Sequence, residues 1–192
     1  MEIYLVRHTT PHIEKGMCYG QSDVNLKDSY SEEFVKVEQQ IPKSDSYHVI
    51  SSPLKRCTLL ARHFSKNIIL KDALKELNFG KWELTPWNKI PENEISPWMS
   101  NFVNHPTPEG ESYKAMANRV NNCLNKILDT PVNRPVIIVL HAGPIRAFLA
   151  SLIHLDLKDS FNIKINYGDV FHIRKTNTSA KLITPLNLKQ PK

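Results

Sequence analysis

The chain of 192 residues contains only three cysteines, Cys18, Cys57 and Cys123, and no CxxC pair. An odd number of widely spaced cysteines argues against a disulfide framework and against a cysteine-based zinc site. The three thiols are therefore expected to be reduced, as is typical of a cytoplasmic protein.

Long apolar runs are also missing, and no stretch approaches the length needed to span a bilayer. The first residues pass directly into a predicted strand that carries Glu2 and Arg7, which is not the pattern of a signal peptide. Internal repeats and low-complexity segments are absent as well. The sequence predicts a single domain over residues 1–192 with no membrane partner.

There is no excess of acidic residues, because 25 Lys and Arg against 19 Asp and Glu give a formal net charge of +6. The basic residues are dispersed and form no array with aromatic residues, so nucleic acid is the weakest candidate partner. A modest positive field suits small anionic substrates. Standard metal motifs are missing too, since Pro11 separates His8 from His12 and no third ligand follows at the usual spacing.

Apolar strands alternate with amphipathic helices along the chain, which predicts an α/β layered fold. The predicted strands are residues 3–6, 47–50, 68–70, 136–140, 170–174 and 181–184. The predicted helices are residues 28–41, residues 112–128 and the segments that follow Pro53 and the Gly143-Pro144 break.

Residues 81–110 differ from the rest, because they hold all three tryptophans, five prolines and no long periodic element. We expect a cap-like excursion of short helices and loops. Trp82, Trp87 or Trp98 would stack on a flat ligand, or the three rings would form a local core, which is the commoner arrangement.

Two apolar strands end in residues that carry chemistry. Arg7-His8 follows the first strand, and His141 follows the strand at 136–140. Ligands of open α/β sheets bind outside the carboxyl ends of the strands, so these side chains are expected at one edge. Arginine is always charged and binds anions, and histidine serves as nucleophile or base. The pattern predicts an anion site that contains a nucleophile.

Arg56 and Glu76 are further candidates for this site. Arg56 follows a Ser-Ser-Pro turn in which Ser52 is the predicted helix cap and Pro53 the first helical residue. A helix N-terminus and an arginine together suit phosphate. Glu76 stands between apolar residues and is the candidate general acid, with Glu83 as the competing carboxylate.

These residues lie in five ordered segments that resemble those of the histidine phosphatase (phosphoglycerate mutase-like) superfamily. The five segments are Arg7-His8-Thr9, residues 51–57, residues 76–83, Gly110-Glu111-Ser112 with Arg119, and Leu140-His141-Ala142-Gly143. A sixth stretch, Tyr167-Gly168-Asp169, is similar to a late turn of that fold. The resemblance implies a three-layer α/β/α sandwich around a mostly parallel sheet.

The resemblance also implies a role for each candidate. His8 would be the nucleophile that takes up the phosphoryl group, Glu76 the proton donor, and Arg7, Arg56 and His141 the groups that hold the phosphoryl oxygens. No metal and no other cofactor is implied. The residues expected to bind the small phosphorylated substrate are Arg7, Thr9, Tyr19, Gly20, Gln21, Arg56, His141 and Ala142.

Two positions depart from the family pattern: Thr9 replaces the usual glycine, and Glu14 stands at the spacing of a common asparagine. Arg-His-Thr-Thr-Pro with residues 18–23 is most similar to α-ribazole phosphatases, which implies hydrolysis of α-ribazole 5′-phosphate in cobalamin (vitamin B12) biosynthesis. The open alternatives are a broad-specificity or sugar-phosphate phosphatase, a phosphoglycerate mutase and a catalytically dead phospholigand-binding module. Whether the chain acts as a homodimer is also left open.

Overall fold

The computed structural model describes residues 1–188, so the last four residues of the predicted domain lie outside the described part. A six-stranded sheet forms the centre. The strands are β1 Glu2–Arg7, β2 His48–Ser51, β3 Ile68–Leu70, β4 Val136–Leu140, β5 Val170–Lys175 and β6 Ala180–Leu182. They lie in the order β3-β2-β4-β1-β5-β6. The four strands from β3 to β1 are parallel, whereas β5 and β6 are antiparallel to the strands beside them.

Helices cover both faces of the sheet and make three layers. The α-helices are α1 Tyr30–Glu38, α2 Lys55–Phe64, α3 Glu92–Ser100, α4 Tyr113–Leu128 and α5 Ala142–Leu152. Along β1, Ile3 and Leu5 belong to the apolar cluster that contains residues of α4 and α5, whereas Tyr4 and Val6 belong to the cluster that contains residues of α1 and α2. Alternate residues of one strand thus face opposite layers. The predicted α/β/α sandwich with a mostly parallel sheet is confirmed.

The helix that follows β2 begins later than predicted. Its first residue is Lys55, and the N–H of Lys55 donates to the Asp23 carboxylate over 2.7 Å. The prediction of Ser52 as the cap is therefore wrong: its hydroxyl lies 2.9 Å from Nε2 of His141 instead. The predicted break at Gly143-Pro144 is also wrong, because α5 already begins at Ala142. Proline is tolerated in a first helical turn, where its missing N–H costs no hydrogen bond.

The excursion at 81–110 is built of short pieces, with 3₁₀ turns at Gly80–Trp82 and Trp87–Lys89 followed by α3. Trp82 is buried and donates to Glu94 over 2.8 Å, and the rings of Trp87 and Trp98 stack with centroids 5.9 Å apart. The tryptophans therefore form a small core of their own beside the main one. Among the described helices, none is long and apolar enough to cross a membrane.

Arg119 on α4 ties the segment before this excursion to the main body. Its guanidinium donates to the carbonyl oxygens of Ala73 (2.9 Å), Lys75 (2.8 Å) and Glu76 (2.8 Å), and it forms an ion pair with Glu111. One mostly buried arginine thus fixes the backbone on which Glu76 stands.

Candidate active site

A cavity of about 370 Å³ opens at the carboxyl ends of the parallel strands. Arg7 and His8 at the end of β1, Arg56 in the first turn of α2 and Glu76 all reach it. The other residues that line it are Met17, Tyr19, Leu77, Phe79, Trp87, Tyr113, Gly143, Arg146, Phe161 and Tyr167. The strand ends and the helix start that carry the predicted anion site therefore meet at one place.

His8 is buried, and its environment selects one form of the ring. Nδ1 lies 2.8 Å from the carbonyl oxygen of Thr9, and since a carbonyl only accepts, Nδ1 carries the proton. Burial, with the positive charges of Arg56 and Arg7, holds the pKa of His8 well below its usual range. The ring is therefore neutral at physiological pH, and its unprotonated Nε2 is left as a nucleophile.

His141 lies beside it, with the two ring centroids 5.1 Å apart. Burial lowers the pKa of His141 well below its usual value, and the charge of Arg56 acts in the same direction. Its Nε2 lies 2.9 Å from the hydroxyl of Ser52 and 3.5 Å from Sγ of Cys57. These contacts fix the orientation of the second imidazole.

Arg56 and Arg7 bring two positive charges into the site. Arg56 has none of its surface exposed, and it donates to the carbonyl oxygens of Ser22 (2.9 Å) and Gly20. Arg7 donates to the carbonyl oxygen of Ile165 over 3.0 Å. Nε of each arginine is buried and has no hydrogen-bond acceptor within residues 1–188. Neither guanidinium pairs with a carboxylate of that part of the chain, so both are available to an anion.

Glu83 is occupied by the protein itself. Its carboxylate accepts hydrogen bonds from the backbone N–H groups of Gly20 (2.9 Å), Gln21 (2.8 Å), Ser22 (3.1 Å) and Phe79 (3.1 Å), and from the Ser22 hydroxyl (2.6 Å). Burial on its own raises the pKa of Glu83, but these hydrogen bonds outweigh it and hold the pKa below its usual range. An ionised, fully bonded carboxylate is a structural group, which favours Glu76 as the acid.

The loop that Glu83 holds is the one that binds Arg56. At Gly20 a Cβ atom would lie 1.8 Å from the carbonyl oxygen of Leu77, so only glycine fits there. The loop is thereby pressed against the segment that carries Glu76, and Nε2 of Gln21 donates to the Glu76 carbonyl oxygen over 3.0 Å.

Glu76 also lines the cavity. One carboxylate oxygen accepts from the N–H of Leu77 (2.9 Å) and the other from the N–H of Gly143 (3.1 Å) at the start of α5. A Cβ atom at position 143 would lie 2.2 Å from the Glu76 carboxylate, so the glycine makes room for it. The carboxyl group is thereby held at the cavity by backbone N–H groups, and it forms no ion pair within residues 1–188.

Two tyrosines cover the arginines. The ring centre of Tyr167 lies 3.8 Å from Cζ of Arg7, and that of Tyr19 lies 5.5 Å from Cζ of Arg56. Their hydroxyl groups are 2.7 Å apart and hydrogen-bonded. Burial raises the pKa of Tyr19, so the phenol stays neutral and adds no negative charge beside the arginines.

Five of the predicted substrate-binding residues, Thr9, Gly20, Gln21, His141 and Ala142, do not line the cavity. The His141 ring lies beside that of His8 instead. Thr9 is fully buried and supports His8 through its carbonyl oxygen, while Gly20 supports Arg56 in the same way. Gln21 holds the Glu76 backbone, and Ala142 is a buried residue of the first turn of α5. They contact the candidate catalytic residues rather than the space in which a ligand lies.

The sequence predictions did not include several residues that line the cavity. Trp87 is the tryptophan that reaches it, whereas Trp82 and Trp98 do not. Arg146 had a readable signal, because it is the one charged residue in α5. Leu77, Phe79, Gly143 and Tyr167 lie in the segments that resemble the family, but they were not named as site residues. The other missed residues are Met17, Tyr113 and Phe161. Within residues 1–188, no group of three or more His, Cys, Asp or Glu side chains is placed to hold a metal ion.

Comparison with protein families gives a match to the histidine phosphatase superfamily (branch 1) over residues 3–185. A relative from Escherichia coli (O1:K1 / APEC), named "Probable phosphoglycerate mutase GpmB", is 28% identical over 164 residues, which cover 81% of this chain and 76% of the relative.

Solved structures show the same fold. The α-ribazole phosphatase from Shigella flexneri superposes with a TM-score of 0.87 at 21% identity, over 97% of this chain and 96% of that one. A mutant phosphoserine phosphatase from Entamoeba histolytica, in complex with phosphoserine, gives a TM-score of 0.83 at 19% identity over the same shares.

The neutral state of His8 and His141 predicts a loss of stability on acidification. An unfolded histidine takes up a proton near pH 6.5, whereas the two buried rings stay neutral well below that pH, so unfolding binds protons there. Their contribution to the free energy of unfolding is fully present above about pH 7.5, begins to fall near pH 6.5 and is lost progressively as the pH approaches the depressed pKa values of the folded rings. Urea denaturation from pH 7.5 to 5 measures this decline.

Two matched variants isolate the effect. His8→Asn removes one buried ring, so unfolding is expected to take up about one proton fewer per molecule. The free energy of unfolding should therefore fall less steeply as the pH is lowered. His105→Asn alters an exposed histidine and is expected to leave the decline as in the wild type. The same pH dependence in all three proteins would contradict the neutral buried ring.

Proposed function

The chain belongs to the histidine phosphatase superfamily and is a phosphoric monoester hydrolase, and from that premise we propose that it works through a phosphohistidine at His8 on α-ribazole 5′-phosphate. One observation carries the mechanism: a neutral buried histidine lies near two arginines whose Nε atoms have no acceptor within residues 1–188. This arrangement suits a phosphoryl group better than it suits any group of the described protein.

In the first step, Nε2 of His8 attacks phosphorus in line with the departing ester oxygen. A P–N bond forms, the P–O bond to the leaving group breaks, and the electron pair goes to that oxygen. The Thr9 carbonyl, which accepts from Nδ1, stabilises the positive charge that grows on the ring. The neutral starting state matters because a protonated ring has no lone pair to attack with.

Arg7, Arg56 and His141 hold the three non-bridging phosphoryl oxygens. Fixed positive charge in a site closed to water stabilises the transition state more strongly than the same charge in solution. Because both arginines are anchored by carbonyl oxygens, their guanidinium planes are set before the substrate arrives. Lysine at either position would lose the planar pair of donors.

Glu76 handles the proton. It donates a proton to the leaving oxygen, so that an alcohol rather than an alkoxide departs. The resulting carboxylate then takes a proton from the water molecule that attacks the phosphohistidine. Inorganic phosphate leaves, and both His8 and Glu76 return to their starting forms.

The proposal that the substrate is α-ribazole 5′-phosphate is supported by the cavity and by the similarity of the fold to that of an α-ribazole phosphatase. Tyr19, Phe79 and Trp87 give the cavity aromatic walls on which a flat base such as a benzimidazole stacks. Its volume of about 370 Å³ is at the lower end of that of ordinary small-molecule sites. The α-ribazole phosphatase from Shigella flexneri shares the fold over nearly the whole chain.

Exchange of Glu76 for glutamine is expected to slow the hydrolysis of some phosphate esters much more than that of others. We expect Glu76→Gln to lower kcat/KM by about 100-fold or more for an alkyl phosphate, whose leaving alkoxide needs a proton. p-Nitrophenyl phosphate releases a stable phenolate and is expected to lose about tenfold or less. The matched variant Glu83→Gln loosens the loop that binds Arg56 and is expected to slow both substrates by the same factor. Equal slowing of both by Glu76→Gln would contradict its role as the acid.

A substrate panel tests the finer assignment. We expect kcat/KM for α-ribazole 5′-phosphate to exceed that for phosphoserine, glucose 6-phosphate and 3-phosphoglycerate by about 100-fold or more, because the base adds stacking contacts. Release of inorganic phosphate is the measurement. Similar values across the panel would identify a broad-specificity phosphatase, and phosphoryl transfer to 3-phosphoglycerate without phosphate release would identify a mutase.

A further inference from the structure

Arg146 is the one charged residue of α5, whose other members are apolar or small. It lies three residues after Gly143, and side chains at that spacing share a helix face. Both residues line the cavity, so the charge points to the side on which Gly143 meets Glu76. An arginine in an otherwise apolar helix is costly unless it has something to bind.

Only part of the Arg146 guanidinium is used by the described protein. Its Nε donates to the carbonyl oxygen of Ile163 over 3.1 Å, and Cζ lies 5.2 Å from the ring centre of Phe161. The two terminal nitrogens make no hydrogen bond and no ion pair with any of residues 1–188. The Ile163 contact and the ring hold the group in place, and the terminal donors remain for a ligand.

The phosphoryl group does not need this third arginine. Arg7 and Arg56 already stand beside His8 and supply positive charge to the phosphoryl group. Arg146 also lies near Arg7, but it shares a helix face with Gly143, whose N–H binds the Glu76 carboxyl group that protonates the ester oxygen. Arg146 is therefore placed on the side of the leaving group. The rest of the substrate extends from the phosphorus atom toward this side of the cavity.

We propose that Arg146 is a specificity-determining residue that binds an oxygen acceptor of the leaving group through its terminal guanidinium nitrogens. The inference rests on the proposed phosphomonoesterase function and deepens it, since it selects esters of oxygen-rich alcohols. On α-ribazole 5′-phosphate the acceptor is a ribose oxygen, and on phosphoserine it is the carboxylate. Phenyl phosphate has no such oxygen and gains nothing from the contact.

The test compares kcat/KM of the wild type and Arg146→Met on α-ribazole 5′-phosphate, phosphoserine and phenyl phosphate. Methionine keeps an unbranched chain in the wall but removes the donors. We expect kcat/KM to fall by about tenfold to 100-fold for the substrate whose oxygen Arg146 binds, and by less than about threefold for phenyl phosphate. The matched control is Arg62→Met, an exposed arginine on α2, which is expected to change none of the three values.

A structural role gives a different result, because loss of the Ile163 contact would slow every substrate alike. Equal losses on all three substrates, or no loss on any, would overturn the proposal. If only the assignment of α-ribazole 5′-phosphate as the substrate is wrong, the wild type would prefer phosphoserine to α-ribazole 5′-phosphate. Arg146→Met would then still remove the preference for phosphoserine over phenyl phosphate.

Discussion

Two arginines, Arg7 and Arg56, that have no carboxylate partner within residues 1–188 are the constraint on which the rest of the site depends. Arg56 is fully buried, and a buried guanidinium is stable only if its donors are satisfied. Backbone carbonyl oxygens from the 20–22 loop and from Ile165 satisfy part of each group and leave the charge uncancelled. Burial, together with the same charges, keeps His8 neutral, so the buried arginines contribute to both the anion site and the nucleophile.

Acidic side chains are used to position backbone rather than to neutralise these cations. Glu83 binds the N–H groups of the loop whose carbonyl oxygens face Arg56. Arg119, paired with Glu111, does the reverse and holds the carbonyl oxygens around Glu76. Positive charge stays in the cavity while the acids that could cancel it are engaged elsewhere. Glu76 is the carboxylate left facing the cavity.

The layered fold and the five candidate catalytic residues were predictable, because Arg7, His8 and His141 follow apolar strands and parallel strands end at one edge. The roles of Ser52 and Glu83 were not, since their contacts join distant parts of the chain: Glu83 binds Gly20, 63 residues away. The local sequence around a serine that follows a strand is the same whether its hydroxyl caps a helix or orients a histidine. Arg146 needed only the observation that a lone charge in an apolar helix must have a partner.

The central claim is that His8 becomes covalently phosphorylated. Mixing the protein with a ³²P-labelled phosphomonoester, quenching within milliseconds and mapping the labelled peptide tests it directly. The account predicts an acid-labile, alkali-stable phosphate on His8, formed and lost at rates that match turnover and absent from His8→Ala. Turnover at the normal rate in His8→Ala, or label on another residue, would contradict it.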